Sequence, residues 1–299
     1  MNNINTEEDL DLERQNLSKN NQDESIESED LNDTLFSDDE EKPSLLKEKF
    51  NSFINTYKKR IIIGMISFFL LLFLFVYYFF FWPIKGSGVI VEKTNNLPVF
   101  NEVVLNANVN LHFIQDKGGA KIVGDDNIID KITFEVKGST LEIGKKGLKN
   151  IKPSKDLDVY IYTLNINSIV INGMGKVTSD GKTIQSSDLK IVTYGSSLIN
   201  MKLDVNNLHS IVHGSSTLYY HGKANNHKID IYGSAVLNGS RFITKETQIG
   251  ITGSGVCDIF AGMKLSIEIS GVGQILYDGN PPEYKQKISG LGIIEKNSN

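Results

Sequence analysis

The chain of 299 residues carries a formal net charge of −5 that conceals two differently charged regions. Residues 1–42 hold fifteen Asp/Glu against three Lys/Arg, whereas Lys85–Asn299 holds twenty acidic and twenty-three basic residues, so neither region has the basic excess of a nucleic-acid partner. The single cysteine, Cys257, excludes an intrachain disulfide framework and leaves packing and backbone hydrogen bonds to hold the fold.

In chain order the first element is the tail, residues 1–43. It is rich in Asn, Asp, Glu and Ser, and cannot bury enough apolar surface to offset its chain entropy, so it is expected to be disordered. Ser37 is followed by Asp38-Asp39-Glu40-Glu41, the setting preferred by an acid-directed kinase, and it stands as a candidate phosphorylation site. Glu41, Leu45 and Leu46 match an acidic dileucine sorting signal, or else simply open the next helix. That helix is expected over 44–60, where Leu46, Phe50, Phe53, Ile54 and Tyr57 recur at helical spacing as an amphipathic juxtamembrane segment.

Residues 61–83 predict a transmembrane helix. Ile61–Trp82 is a run of twenty-two residues without a charge, enough at ~1.5 Å per residue to span a ~30 Å hydrocarbon layer. It is too apolar on every face for a core helix, and too far along the chain for a signal peptide. Lys58, Lys59 and Arg60 precede it, against Lys85 alone just after it, so the positive-inside bias predicts a cytoplasmic N-terminus and an extracellular or luminal C-terminal domain. Tyr77, Tyr78 and Trp82 gather toward the outer interface.

From 86 to 299 the sequence reads as a repeat. Short β-branched runs end in Gly173, Gly195, Gly214, Gly233, Gly253, Gly271 and Gly290, spaced 22, 19, 19, 20, 18 and 19 residues apart. Two residues before them stand Ile171, Thr193, Val212, Ile231, Ile251, Ile269 and Ile288, all expected to face a core. A period near nineteen with strand alternation indicates a solenoid of stacked coils, without the leucine-asparagine consensus of leucine-rich repeats or the length of propeller blades. The glycines mark tight turns or crowded neighbouring backbones, with Ser/Thr hydroxyls outside them bridging successive corners. Residues 97–166 alternate as strands too. Val103, Leu105, Ala107, Val109, Leu111 and Phe113 share one face, and the segment reads as larger, irregular first coils that cap the stack.

Several stretches resemble a known family. Phe100…Val109-Asn-Leu111, Val123-Gly-Asp-Asp-Asn127, Leu141-Glu-Ile143, the Gly-Ser corners and Leu276-Tyr-Asp-Gly-Asn-Pro-Pro282 with Ile288-Ser-Gly-Leu-Gly292 are similar to the head GIN domain, the family of autotransporter adhesin heads. The resemblance covers about 90–295. It implies an all-β ectodomain built as a single-stranded right-handed parallel β-helix, and brings no catalytic residues. This chain departs from the family in using a membrane helix as its anchor and in carrying Ser-Ser at corners 196–197 and 215–216.

No signature of chemistry stands out. Arg241 is the only arginine after residue 60, and Asp204, Asp230, Asp258 and Asp278 share no register, unlike a polysaccharide-cleaving face. His209 and His213 on one strand would lie ~13 Å apart, too far for one metal. His209 and His227 fall at nearly the same place in successive repeats and could stack as solvent-facing neighbours. Cys257 reads as a small residue near the core. The expected function is therefore a single-pass membrane protein displaying a non-enzymatic binding or adhesion-like module, with no cofactor and no metal. Its partners would be membrane lipid through the helix and a ligand outside, with no nucleic acid. A glycan-processing enzyme and a structural or sorting component of an internal compartment are the alternatives. Asn-x-Ser/Thr occurs at Asn16 and Asn32 in the tail and beyond the span only at Asn238, the expected glycosylation site in a host that glycosylates.

Overall fold

A computed structural model describes residues 42–297, and the chain forms two compact units, residues 1–76 and 77–299. The acidic tail, with Ser37, Glu41, Asn16 and Asn32, lies outside the described residues. Helix α1 runs from Lys42 to Phe81 without a break, so the segments expected at 44–60 and 61–83 form one helix. Between Pro43 and Phe81 the chain contains no further proline, and the single Gly64 costs about 1 kcal/mol without stopping a helix. The stretch Leu45–Phe79 is long and apolar enough to cross a membrane. A helix meets that solvent with every mid-span backbone group bonded internally.

The second unit is almost entirely strand. It opens with β1 (Ile84–Lys85), β2 (Ile90–Asn95), β3 (Glu102–Leu105), β4 (Asn110–Ile114) and β5 (Gly119–Asp125). A single helical turn, α2 (Asp126–Ile129), precedes β6 (Ile132–Lys137), β7 (Thr140–Lys145), β8 (Ile151–Lys152) and β9 (Asp158–Tyr162). The regular coils comprise β10 (Ser168–Ile171), β11 (Gly175–Thr193), β12 (Ser196–Val212), β13 (Ser215–Ile231), β14 (Ser234–Gly239) and β15 (Phe242–Ile251). They continue through β16 (Ser254–Phe260), β17 (Lys264–Ile269), β18 (Val272–Asp278), β19 (Glu283–Ile288) and β20 (Leu291–Lys296). Every pairing from β10 onward is parallel, as a solenoid requires.

The predicted register holds. Ile171, Thr193, Val212, Ile231, Ile251, Ile269 and Ile288 form one ladder, extended past Ile171 by Leu105 and Ile143. All are buried except Ile288, which is 41 % exposed because no later strand covers β19. The first interval of 22 residues has a local cause. Where β12 places Met201 alone, β11 inserts Ser179–Lys182, with Asp180 and Gly181 at positive φ of 49° and 75°.

The corner glycines answer a question of crowding. Their φ angles are ordinary, but a Cβ on Gly195 would strike the carbonyl oxygen of Gly173, and one on Gly214 that of Gly195. The same stacking repeats at Gly233, Gly253, Gly271 and Gly290, so each corner rests on the backbone of the one before. The hydroxyl bridges run on the inner side of the corner rather than outside it. Ser216 Oγ donates to Thr193 Oγ1 at 3.1 Å and lies 3.1 Å from Ser197 Oγ, and all three residues are buried. Facing the core, these hydroxyls satisfy one another, which water would do on an outward face.

The cap is less regular than a set of first coils. The turn made by β3 and β4 lies between the turn of β7 and β9 and the first regular coil. The chain thus lays down its second turn first. It then closes the end with antiparallel pairings of β5 to β2 and β9, and of β6 to β7. A second corner, unsuspected from the sequence, is made of asparagines. At Asn206-Asn207 and Asn225-Asn226 two successive residues turn away from the core, and Asn225 Nδ2 donates to Asn206 Oδ1 while Asn226 and Asn207 extend a chain to Asp188.

Candidate binding surface

The outer side of the glycine corner carries the most continuous set of recurring side chains. Immediately before Gly195, Gly214 and Gly233 stand Tyr194, His213 and Tyr232. Their rings stack at 4.8 and 4.9 Å between centroids, within 9° of parallel, and both tyrosines are more than half exposed. That spacing is the distance between adjacent strands, so the register itself aligns the ladder. Immediately after the corner, Ser196, Ser215, Ser234 and Ser254 follow one another in register. They line an open groove of about 520 Å³ together with Thr217, Val236 and Val256. Such a surface offers hydroxyls, ring edges and small apolar side chains at a fixed repeat, and Tyr219 adds a partly exposed ring beyond it.

The histidines have separate fates. His209 and His227 do not stack as neighbours. His209 lies opposite Lys228 and bonds Asp230 Oδ2 at 2.7 Å, whereas His227 lies opposite Leu208 inside the core. Counted from the lead glycines, His209 lies five residues before Gly214 and His227 six before Gly233, so the two differ by one position and alternate to opposite faces. His227 Nε2 meets Ser210 Oγ at 3.1 Å, and Ser210 Oγ donates to Tyr220 Oη at 3.2 Å. Burial, with the nearby His209 charge, pushes the His227 imidazole down to about 3, while burial raises the Tyr220 phenol. All three side chains are sealed between coils, so this Ser–His pair faces no solvent in which a substrate could approach.

His112 sits in the cap, with Nδ1 2.8 Å from Asp180 Oδ2, Nε2 3.1 Å from Asp158 Oδ1 and its ring stacked on Tyr160 at 4.6 Å. It clamps the inserted Ser179–Lys182 loop onto β4 and β9. Asp258 and Asp278 are two positions apart in register and share Asn297, whose Nδ2 donates to both at 3.5 and 3.1 Å, whereas Asp230 bonds His209 and Lys228 and Asp204 pairs with Lys223. Cys257 is fully buried and its thiol is raised to about 12 by burial, which makes it a packing residue. Among the described residues no group of three His, Cys, Asp or Glu is placed to hold a metal ion.

Of the sequence-derived sites, Leu45 and Leu46 are exposed in the first turns of α1. Asn238 is on the outer, partly exposed side of β14, between Tyr219 and Asp258 in register and just before the turn at Ser240-Arg241.

A family model described as "Putative auto-transporter adhesin, head GIN domain" matches residues 99–281, more than half of the chain. The chain belongs to the head GIN domain family. Its GIN domain is similar to a solved "putative adhesin" from Bacteroides fragilis, at 21 % identity and a TM-score of 0.68, over 72 % of this chain and 100 % of that one. It is also similar to a "putative lipid binding protein" from Parabacteroides distasonis, at 19 % identity and a TM-score of 0.60, over 72 % and 100 %. A "putative adhesin" from Parabacteroides merdae matches at 19 % identity and a TM-score of 0.56, over 72 % and 99 %. At such identities the likeness establishes the fold. No curated protein matches the chain.

Proposed function

We propose that the chain is a single-pass membrane protein that displays its GIN domain, extracellular or luminal, as a non-enzymatic, adhesion-like binding module. The observation that carries this reading is the corner surface, where Tyr194-His213-Tyr232 runs beside the serine-lined groove over successive coils. Such a surface recognises by repetition, whereas catalysis needs a nucleophile, a base and charge stabilisation converging on one point. The family description and the adhesin neighbours support the same reading. Proteolysis of sealed, right-side-out vesicles tests the topology: a tag after Asn299 should be removed and one before Met1 protected, and the reverse pattern would overturn the orientation.

Within this reading the tail signals have defined outcomes. Leu45→Ala with Leu46→Ala should move the protein toward the cell surface if Glu41, Leu45 and Leu46 act in sorting, and Ser37 is the proposed phosphate acceptor beside them. Asn238 is the proposed glycan carrier, and Asn238→Gln should remove the only glycan. The description of one neighbour as lipid-binding, together with the exposed Leu198, Val236 and Val256 of the outer face, makes an acyl chain the competing ligand for the groove.

A further inference from the structure

Residues 144–156 form the most basic loop of the β domain: Lys145, Lys146, Lys149, Lys152 and Lys155 against Asp156 alone. Several lysines elsewhere face carboxylates, as in Lys93–Asp130, Lys121–Glu92, Lys137–Glu142 and Lys287–Glu268. The loop lysines join no ion pair among the described residues. Lys145 turns inward and donates to the carbonyls of Gly147 and Lys149 at 2.8 and 2.7 Å, fixing the loop's shape. Lys146, Lys152 and Lys155 are left exposed, and Leu148, at the tip, is 76 % exposed.

The loop is also tied to the chain where it leaves α1. β1 pairs with β8 in parallel, Ile84 opposite Ile151 and Lys85 opposite Lys152. Ile84 N donates to Asn150 O at 2.8 Å and Gly86 N to Lys152 O at 2.9 Å. The buried Asp125 adds a second tie, accepting from Gly88 N at 2.8 Å and from both the Ser154 amide and hydroxyl, at 2.8 and 2.5 Å. Two residues, Trp82 and Pro83, separate Phe81 from Ile84, so three Cα–Cα steps give a reach of at most ~11 Å for extended chain. The headgroup layer outside the hydrocarbon core is itself ~6 Å deep. At whatever angle the domain stands, these bonds keep the lysines within reach of that layer.

We infer that the 144–156 loop is a second membrane contact, in which Lys146, Lys149, Lys152, Lys155 and Lys85 bind anionic lipid headgroups of the bilayer that α1 crosses and Leu148 enters the interface between them. Charge complementarity and the covalent proximity of the bilayer both select this occupant. A lone aliphatic tip ringed by ammonium groups suits an anionic interface, where chain apolarity and electrostatic attraction act together. The contact would limit how far the GIN domain swings away from the bilayer. The inference rests on α1 being a membrane span.

The test uses the full chain carrying Leu148→Cys with an environment-sensitive dye, since the buried Cys257 does not compete for label. It is reconstituted in phosphatidylcholine vesicles with or without about 30 mol % phosphatidylserine, a strongly anionic surface. Quenching by neutral acrylamide should fall about threefold or more on the anionic vesicles, as expected for a side chain drawn into the interface. Salt at ~0.5 M, which shortens the Debye length to ~4 Å, should restore it. Added inorganic phosphate should not displace the loop, which separates a lipid surface from a free-anion site. Replacing Lys146, Lys149, Lys152 and Lys155 with Gln should abolish the protection while leaving the melting temperature unchanged. Equal quenching on both vesicles, or protection indifferent to salt, overturns the inference. Carbonate extraction reads the span separately. A chain that resists carbonate but shows equal quenching leaves the anchor standing, and one that carbonate strips brings both down.

Discussion

The coils from Ser168 onward and the cap that precedes them are built from the same strands but held by different logic. In the coils contacts recur from turn to turn: the glycine stack runs from Gly195 on Gly173 to Gly290 on Gly271, and shorter ladders place Tyr232 on His213 and Asn226 on Asn207. In the cap the contacts occur once. Asp125 ties β5 to the entering chain and to Ser154, and His112 ties β4 to β9 and to the inserted Asp180 loop. Repetition spreads stability over many equivalent positions, whereas the cap concentrates it at a few hubs. The two regions nonetheless share one hydrophobic core, since Ile143 and Leu105 continue the ladder of Ile171 and Ile231. That shared ladder decides whether they unfold together.

The largest effect expected is from a charge placed in that ladder. Ile231→Asp buries a carboxylate with no partner between Val212 and Ile251 and should cost at least about 4 kcal/mol, enough to abolish a cooperative melt of the detergent-solubilised chain. Gln248→Asp, three residues before Ile251 and exposed opposite Lys228 and Ser266, should stay within about 0.5 kcal/mol. Leu105→Asp sharpens the comparison. If cap and coils are one cooperative unit it should be as damaging as Ile231→Asp, and a surviving transition from the coils would show that the cap folds by itself.

Gly233→Ala should come next. Its Cβ would press on the carbonyl oxygens of Gly214 and His213, both backbone atoms that cannot move without opening the corner, so a loss of about 2–3 kcal/mol is expected. Gly250→Ala is the control, because its Cβ would meet only the Asp230 carboxylate at 3.3 Å, the mobile end of a side chain. A difference of less than about 1 kcal/mol between the two melts would remove crowding as the reason for the corner glycines.

How far this was legible follows from the same contrast. Seven glycines and the β-branched residues two places before them reveal the register because a solenoid writes one rule many times, and the spacing lengthens where an insertion such as Ser179–Lys182 enters. The asparagine corner was also written, in Asn206-Asn207 and Asn225-Asn226, yet two repeats of a polar pair do not stand out in a sequence rich in asparagine. The inward place of His227 was legible, because alternation back from Ile231 through Ile229 reaches it. The cap's order of turns was not legible. Nothing local to residues 102–114 says that 140–162 will stack on their far side, because that follows from which end of the core is left open. The corner ladder is written as well, since Tyr194, His213 and Tyr232 each precede a lead glycine and so stack in register.

Acid should separate the two regions by pH. His227 is held neutral by burial, its imidazole pushed down to about 3 from an ordinary 6.5. Between those values the unfolded chain takes up a proton that the native coils refuse, so stability is complete above pH 6.5 and falls as pH drops. At about 1.4 kcal/mol per unit, the loss by pH 5 is about 2 kcal/mol. Asp125 behaves oppositely in window though not in sign. The Ser154 hydroxyl bond, ahead of its backbone amides, lowers its carboxyl below the ordinary 3.8, so the cap keeps that contribution until the pH falls below 3.8. Melting temperature measured from pH 7 to 4.5 should therefore decline in the parent and decline much less in His227→Phe, while Asp125→Asn shifts the whole curve down without changing its slope. A parent curve that is flat over that range would mean that His227 is reached by water.

The smallest stability effect is expected at the surface that matters most for function. His213 contributes two near-parallel stacking contacts, each worth at most about 1 kcal/mol and less at an exposed site, so His213→Ala should lower stability by about 1 kcal/mol or less. Removing it nevertheless leaves Tyr194 and Tyr232 without a shared neighbour, ~10 Å apart across an empty rung, and ends the ladder as a continuous edge. If the corner surface only completes the fold, a ligand captured by the parent domain, whether glycan or acyl chain, should be captured equally by His213→Ala. If the surface is the recognition element, capture should fall by tenfold or more, far beyond what the change in melting temperature explains, and His213→Tyr, which restores the stack, should recover it. The same pair of substitutions at Asn225, on the opposite corner, should leave capture untouched; loss there as well would move the binding surface from the glycine corner to the asparagine corner, where Asp204, Lys223, Lys245 and Phe260 border a second groove of about 480 Å³.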